Sequence, residues 1–418
     1  MRILVSAYAC NPYGGSESGV GWAAVCRIAR LHDVWVLCDI HNKAGWERGV
    51  LEGIVPGNVR VRFLRERSAC SANRFIAHIQ SWLNYADFNR KVLDAARDWH
   101  KEVGFDLCHQ VTIAAWRMPS SLWRLPIPFV WGPIGGAGYI PPAFRGMLSG
   151  QARVFEVLRD WSTARTLRSQ AFRDCIRKTA VVFAANEETE ELLRPHRDGR
   201  PLVRLPIVSI SKEKADTFAR VNVPEETDRV PLRLFAGGNM EGRKGVNLAL
   251  RALAKVKAAG LPFHYTVAGG GPEIPGLLKL RASLGLESEV EFHPGFRGPD
   301  YVDALHRTDV YFLPSFREST PVTLLEAYLA GCYPVVADTG AQGEIVRLAG
   351  GTAVAAVDMS ALVQNLANAV LWCATHRGEM IESSESARGI VTRHFSGHRY
   401  DAMIEEAYAT AIQGARTS

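Results

Sequence analysis

Leu313-Pro-Ser-Phe-Arg-Glu-Ser-Thr-Pro-Val-Thr-Leu-Leu-Glu-Ala-Tyr-Leu-Ala-Gly331 is the stretch on which the reading of this chain turns. The apolar run Val310–Leu313 leads into it as a buried strand that stops at Pro314. A short loop follows, and a helix begins near Thr320 or Pro321, because proline is tolerated in a first helical turn. This order puts Glu318 in a loop at the carboxyl end of a strand, where open α/β sheets bind ligands. Glu326 lies about two helical turns further along. The backbone N–H groups of Thr320, Val322 and Thr323 stand at the helix start as donors for a phosphate or sugar oxygen. Taken singly, Glu318 reads as a helix cap and Glu326 as a surface residue. Together in this strand–loop–helix setting they read as one ligand-binding edge.

Outward from that edge, strand-like runs alternate with helical ones. Leu232–Ala236, Phe263–Ala268, Val290–Phe292, Pro334–Ala337 and Thr352–Ala355 complete a C-terminal series. Ile3–Ala7, Val34–Cys38, Val59–Leu64, Leu107–Val111, Phe129–Trp131 and Val181–Ala185 form an N-terminal one. Such alternation predicts parallel sheets covered on both faces. Ser209–Val230 is polar, has no sustained apolar period and reads as the linker. The division expected is an N-terminal domain over 1–212, a linker over 213–230 and a C-terminal domain over 231–395. A final helix over 396–418 carries one apolar face (Tyr400, Met403, Ile404, Ala407, Tyr408, Ala411) that needs a partner surface.

Two stretches depart from the alternation. Ala69–Glu102 reads as a long helical insertion rich in aromatics. Pro141–Lys178 is mostly helical and carries Arg153, Arg159, Arg165, Arg168, Arg173, Arg177 and Lys178 against fewer acids. That surface is either a solvated helix face or one that meets anionic lipid.

A chain of 418 residues with 47% hydrophobic and 22% charged residues has room for two buried cores. A net charge of +6 does not demand nucleic acid, and it suits a diphosphate ligand or an anionic membrane. The eight cysteines form no C-x-x-C pair and read as reduced core residues. No zinc-type ligand cluster and no run of about twenty apolar residues is present. Met1-Arg-Ile-Leu-Val-Ser enters a strand directly, without the apolar core of a signal peptide. The expected location is the cytoplasm, with or without peripheral contact at the inner face of the membrane.

The double-glutamate segment resembles the E-x7-E motif of glycosyltransferase family 4, retaining enzymes of the GT-B fold: two doubly wound, Rossmann-like α/β domains facing an interdomain cleft. The resemblance is densest from Arg233 to Val346. Val267-Ala-Gly-Gly-Gly-Pro-Glu273 is similar to the family's glycine-rich turn, and Val290-Glu-Phe-His-Pro-Gly-Phe296 to its base-binding loop. Tyr333-Pro-Val-Val-Ala-Asp-Thr-Gly340 with Glu344 is similar to the segment after the double-glutamate helix. The resemblance implies that Glu318 faces the donor sugar hydroxyls and that Glu326 accepts hydrogen bonds from the ribose. It places Gly270, Phe296 and Arg297 beside the nucleotide. It also implies a final helix that crosses back to the N-terminal domain.

Phe235-Ala-Gly-Gly-Asn-Met-Glu-Gly-Arg-Lys-Gly245 follows the first C-terminal strand. Lys244 and Arg243 bring positive charge to a departing diphosphate. The family's usual arginine falls at Gly238 or Asn239 here. Either Arg243 takes its place or the adjacent side chains of Arg243 and Lys244 diverge. No Asp-x-Asp triplet occurs, which fits cationic side chains and helix dipoles in place of a metal. No cofactor is expected beyond the nucleotide-sugar co-substrate.

On the N-terminal side, Gly14 and Gly15 allow close approach to phosphate or sugar. His109, at the end of Asp106-Leu-Cys-His-Gln-Val-Thr112, is expected to point into the cleft beside the reacting centre; an offset of two residues selects Val111 instead. Trp131-Gly-Pro-Ile-Gly-Gly-Ala-Gly138 supplies Gly135 and Gly136 to the acceptor side, with Arg117 and Tyr139 as neighbours. The expected partners are a nucleotide-sugar donor and a saccharide or lipid-linked acceptor, with no nucleic acid. Two other readings compete. Gly19-Val-Gly-Trp-Ala-Ala24 with Asp39 fits a dinucleotide fingerprint and hence an NAD-dependent oxidoreductase, although some ten residues separate it from its strand. The altered Arg–Lys element suits a non-catalytic sugar-nucleotide-binding partner.

Overall fold

The computed structural model describes residues 1–64, 74–219 and 231–416. The first sheet contains β1 (Arg2–Ala7), β2 (Asp33–Asp39), β3 (Val59–Leu64), β4 (Leu107–Thr112), β5 (Phe129–Ile134), β6 (Val181–Ala184) and β7 (Leu202–Arg204), in the order β3-β2-β1-β4-β5-β6-β7. The second contains β8 (Leu232–Gly237), β9 (Phe263–Ala268), β10 (Val290–His293), β11 (Val310–Phe312), β12 (Tyr333–Ala337) and β13 (Thr352–Val354), in the order β10-β9-β8-β11-β12-β13. All the pairings are parallel. Both central strand sets are buried along their length, as helices on both faces require. In each sheet the strand order reverses beside its first strand, which opens a crevice at the carboxyl ends.

The N-terminal sheet is covered on one face by Gly397–Arg416, whose Tyr400, Ile404, Ala407, Tyr408 and Ala411 join the cluster of Ile3, Val5, Val25 and Leu107. The other face packs against the long helix Arg74–Val103 through Tyr85, Phe88, Val92, Ala96 and Trp99. Residues 69–73 of that expected insertion, residues 220–230 of the expected linker and the last two residues, 417 and 418, lie outside the described residues.

The start of the expected linker folds as a helix, Lys212–Phe218. Ser211 Oγ caps it by accepting the Lys214 N–H, and Phe218 is buried in the C-terminal core. One apolar anchor and one cap suffice for a two-turn helix held by tertiary packing, and so short a signal is lost in a polar stretch. The two domains also share apolar contact. Ile140, Phe144 and Leu148 belong to the C-terminal core cluster, and Phe144 lies 4.7 Å from Phe316, ring to ring.

The dinucleotide reading is corrected by geometry. Gly19–Ala24 lies inside the helix Ser16–Ile28, and a Cβ on Gly21 would stand 2.0 Å from the Ala9 carbonyl. The glycine therefore serves close packing of helix on loop. Asp39 is buried and caps the following turn, accepting from His41 N–H at 2.9 Å and from His41 Nδ1 at 2.8 Å. The described cysteines are all free and mostly buried.

Candidate functional site

Two loops meet where the C-terminal sheet reverses. One leaves β8 and ends in the short turn Gly242–Lys244; the other leaves β11 and carries Glu318 to the helix Val322–Leu329. Gly245 makes the meeting sterically feasible. Its φ is +66°, and a Cβ there would lie 2.1 Å from the Pro314 carbonyl. The Phe316 N–H donates to the Arg243 carbonyl at 2.8 Å and stitches the loops together.

The tight turn aims both cations inward. Lys244 Nζ lies 2.6 Å and Arg243 Nη1 3.2 Å from the same oxygen, Glu318 Oε1. The adjacent side chains therefore converge, and Arg243 brings the second charge. Its guanidinium also donates to the Arg317 carbonyl at 2.8 Å and to Glu241 at 2.7 Å. Burial pushes the Glu318 carboxyl up, but Lys244 and Arg243 outweigh it and hold it below the usual carboxylate range. All three side chains are largely buried and face one another across the crevice.

Glu326 sits further along the helix with both oxygens engaged. Lys214 Nζ reaches one at 2.6 Å and the Tyr301 hydroxyl donates to the other at 2.8 Å. Each carboxylate oxygen has a further lone pair, so the group is oriented and still able to accept two hydroxyl donors. Lys214 and Tyr301 were not apparent from the sequence. They stand 112 and 25 residues from Glu326 with no motif linking them.

Around these carboxylates the other expected donor residues are dispersed. Phe296 stacks flat on His293, 3.8 Å between centroids, while Arg297 is exposed. Gly270 faces open space. The close approach falls to its neighbour Gly269, whose Cβ at φ +128° would stand 2.0 Å from the Gly238 carbonyl. Thr320 Oγ1 accepts the Ile207 N–H at 3.1 Å, and Val322 opens the helix. Gly15 precedes the helix Ser16–Ile28, and Gly14 donates to the Asn11 carbonyl at 3.1 Å.

The glycines expected on the acceptor side lie against the loop that carries Glu318. A Cβ on Gly135 would come 2.7 Å from Ser319 Oγ, and one on Gly138 would come 2.4 Å from Glu188 Oε2. Arg117 donates to the Gly136 carbonyl through two nitrogens, each at 2.8 Å, and Arg159 donates to it at 2.6 Å. Arg117 thus holds the loop rather than presenting a free charge. Tyr139 is 57% exposed. Three further residues here belong to no motif legible in the sequence. Glu156 is buried and holds Arg317 through both carboxylate oxygens at 2.8 and 2.7 Å. Asn186 donates to the Glu318 carbonyl at 3.1 Å, and Glu188 accepts the Gly340 N–H at 3.2 Å. N-terminal residues therefore brace the Glu318 loop at Arg317 and at Glu318, and hold the neighbouring turn at Gly340.

His109 is corrected. It lies in the core under the final helix, away from the cleft, with 1% exposure. Its Nε2 is 2.7 Å from the Gly132 carbonyl, which can only accept, so Nε2 carries the proton. Nδ1 then accepts from the Tyr408 hydroxyl at 2.7 Å. Strand alternation puts His109 on the same face of β4 as Leu107 and Val111, the face that Gly397–Arg416 covers. Val111 is buried there as well.

The fold is that of GT-B glycosyltransferases. The structure superposes on a UDP complex of HepE from Anabaena with a TM-score of 0.64 at 15% identity, covering 98% of this chain and 99% of that one. It superposes on WaaG, a glycosyltransferase of lipopolysaccharide biosynthesis, with a TM-score of 0.57 at 18% identity, covering 99% and 98%. At such identities the likeness is one of fold. In sequence, residues 224–384 match the family model described as glycosyl transferases group 1. The chain is 31% identical over 136 residues to the putative colanic acid biosynthesis glycosyltransferase WcaL of Salmonella typhimurium, covering 31% of this chain and 33% of WcaL. It is 32% identical over 119 residues to the D-inositol 3-phosphate glycosyltransferase of Rhodococcus erythropolis, covering 26% of each. The chain thus spans about a third or less of the length of these curated relatives.

Proposed function

We propose that the protein is a retaining glycosyltransferase of family 4 that moves a sugar from a nucleoside-diphosphate sugar to a hydroxyl acceptor. The observation that carries the reading is the convergence of Lys244 and Arg243 on Glu318 at the point where the strand order reverses. Glu326, held by Lys214 and Tyr301, receives the ribose hydroxyls. Lys244 and Arg243 receive the diphosphate and stabilise charge as it leaves. Glu318 faces the sugar. Attack comes from the face of the departing phosphate. The bond from the anomeric carbon to the phosphate oxygen breaks, the acceptor oxygen bonds to that carbon, and the acceptor proton passes to the leaving phosphate. The positive charge at the diphosphate comes from side chains, so this course draws on no resident metal or cofactor.

The acceptor, on this reading, is a saccharide or lipid-linked intermediate of polysaccharide assembly, which the protein meets peripherally at the inner face of a membrane. The likeness to WcaL supports the polysaccharide class. The competing binder reading separates from this one by turnover. Incubated with a panel of UDP- and GDP-sugars, the protein is expected to release nucleoside diphosphate from at least one. Lys244→Met should cut that release about a hundred-fold or more. Release unchanged in the variant, or none from any donor despite binding, would count against catalysis at this site.

A further inference from the structure

The helix Gly150–Arg168 is inverted relative to an ordinary surface helix. Its inward face carries Glu156 and Arg159, engaged with Arg317 and with the Gly136 and Gly138 carbonyls. Its outward face carries Val154, Leu158, Trp161, Arg165 and Arg168, spaced four, three, four and three residues apart, which is a single stripe on a helix. Val154 is 56%, Leu158 46% and Trp161 63% exposed, and Val157 beside them is 58% exposed. Folding explains the charged inner face and leaves the apolar outer one unexplained, since such a patch on a folded protein marks a contact surface.

The lower half of the stripe is basic. Arg165 stacks over Trp161 at 5.6 Å. Together with Ala164, Arg168 and Ser169 they line an open depression of about 440 Å³. Arg173 continues the charge on the next helix, Gln170–Lys178. Arg165, Arg168 and Arg173 have no acidic partner among the described residues, whereas Asp160 is already paired with Arg145 at 2.7 Å. Apolar side chains and a tryptophan at one end of a stripe, with unpaired arginines at the other, match the two layers of a bilayer surface: acyl boundary and anionic headgroup.

We propose that this outward stripe is a docking surface for an anionic lipid bilayer, with Trp161, Arg165 and Arg168 seated among phosphate headgroups. The inference gives the lipid-linked acceptor reading a surface and rests on that reading only for its purpose. The inner side of the same helix holds Arg317, next in the chain to Glu318. A bilayer at the stripe therefore lies about one helix diameter, ~10 Å, from the donor loop.

The test is vesicle co-sedimentation of the full chain without donor or acceptor, so its outcome is independent of whether transfer occurs. Vesicles of equal parts phosphatidylcholine and phosphatidylglycerol should retain the protein, and vesicles of pure phosphatidylcholine should retain it about ten-fold less. Leu158→Ser with Trp161→Ser, and separately Arg165→Glu with Arg168→Glu, should each lower retention about ten-fold or more. Circular dichroism and thermal unfolding of both variants should match the parent, because none of the four side chains is buried. Failure of the parent to bind anionic vesicles, or equal binding by both variants, would overturn the proposal. So would a concentration-dependent dimer abolished by the Leu158 and Trp161 changes, which would assign the stripe to a second copy of this chain.

Discussion

Glu318→Gln is expected to lower turnover by roughly two to three orders of magnitude, the scale of losing one preorganised electrostatic group at a reacting centre. The same change should tighten the hold on nucleoside diphosphate. Glu318 offsets part of the charge of Lys244 and Arg243 from 2.6 and 3.2 Å. Without its charge, the largely buried Lys244 loses its carboxylate partner and Arg243 keeps only Glu241, which costs on the order of 3 kcal/mol of stability. A bound diphosphate restores the missing negative charge. Thermal unfolding with and without saturating nucleoside diphosphate reads this directly: the ligand-induced rise in Tm should be larger in the variant than in the parent. A smaller rise, with turnover intact, would show that the diphosphate does not sit on these cations.

His109 should make stability depend on pH. Burial pushes its imidazole down to about 4, while the unfolded chain keeps the ordinary value near 6.5. The folded state therefore resists protonation. Between these two values the unfolded state binds more protons, so stability is complete above about pH 6.5 and is lost as pH falls toward 4. The span corresponds to about 3 kcal/mol if the full shift is realised. His109→Gln removes this titration. It also weakens the bonds to Tyr408 and the Gly132 carbonyl, at a cost of about 1–3 kcal/mol near neutral pH. Urea unfolding of parent and variant from pH 7 to 4.5 should show the parent's advantage shrinking steadily with acid. An advantage constant across that range would contradict the buried, neutral imidazole. Turnover by the folded variant should persist, since the residue lies outside the cleft.

What could be read in the sequence was whatever the chain encodes locally. The long strands announce themselves as apolar runs between turn residues, and the strand–loop–helix that carries Glu318 and Glu326 lies in one contiguous segment. The three-residue β7, Leu202–Arg204, is too short to give a period. The helix Lys212–Phe218 is held by one buried ring and one cap. Direction was harder than position. Arg243 and Lys244 converge because Gly245 adopts a left-handed turn under Pro314, a fact of packing between loops some 70 residues apart. His109 turns inward because both faces of β4 are covered, so alternation could not tell cleft from core. Lys214, Tyr301, Glu156 and Asn186 act across the fold, and only the tertiary structure brings them to the carboxylates they serve or the loop they brace.

Glu318, Lys244 and Glu326 together form the proposed nucleotide site. Isothermal titration with UDP, GDP and NADH tests it most directly. One nucleoside diphosphate should bind saturably with a single site per chain. Glu326→Ala should weaken it about ten-fold or more, the worth of hydrogen bonds to a charged acceptor. Saturable NADH binding with neither diphosphate bound, or diphosphate affinity indifferent to Glu326, would contradict it.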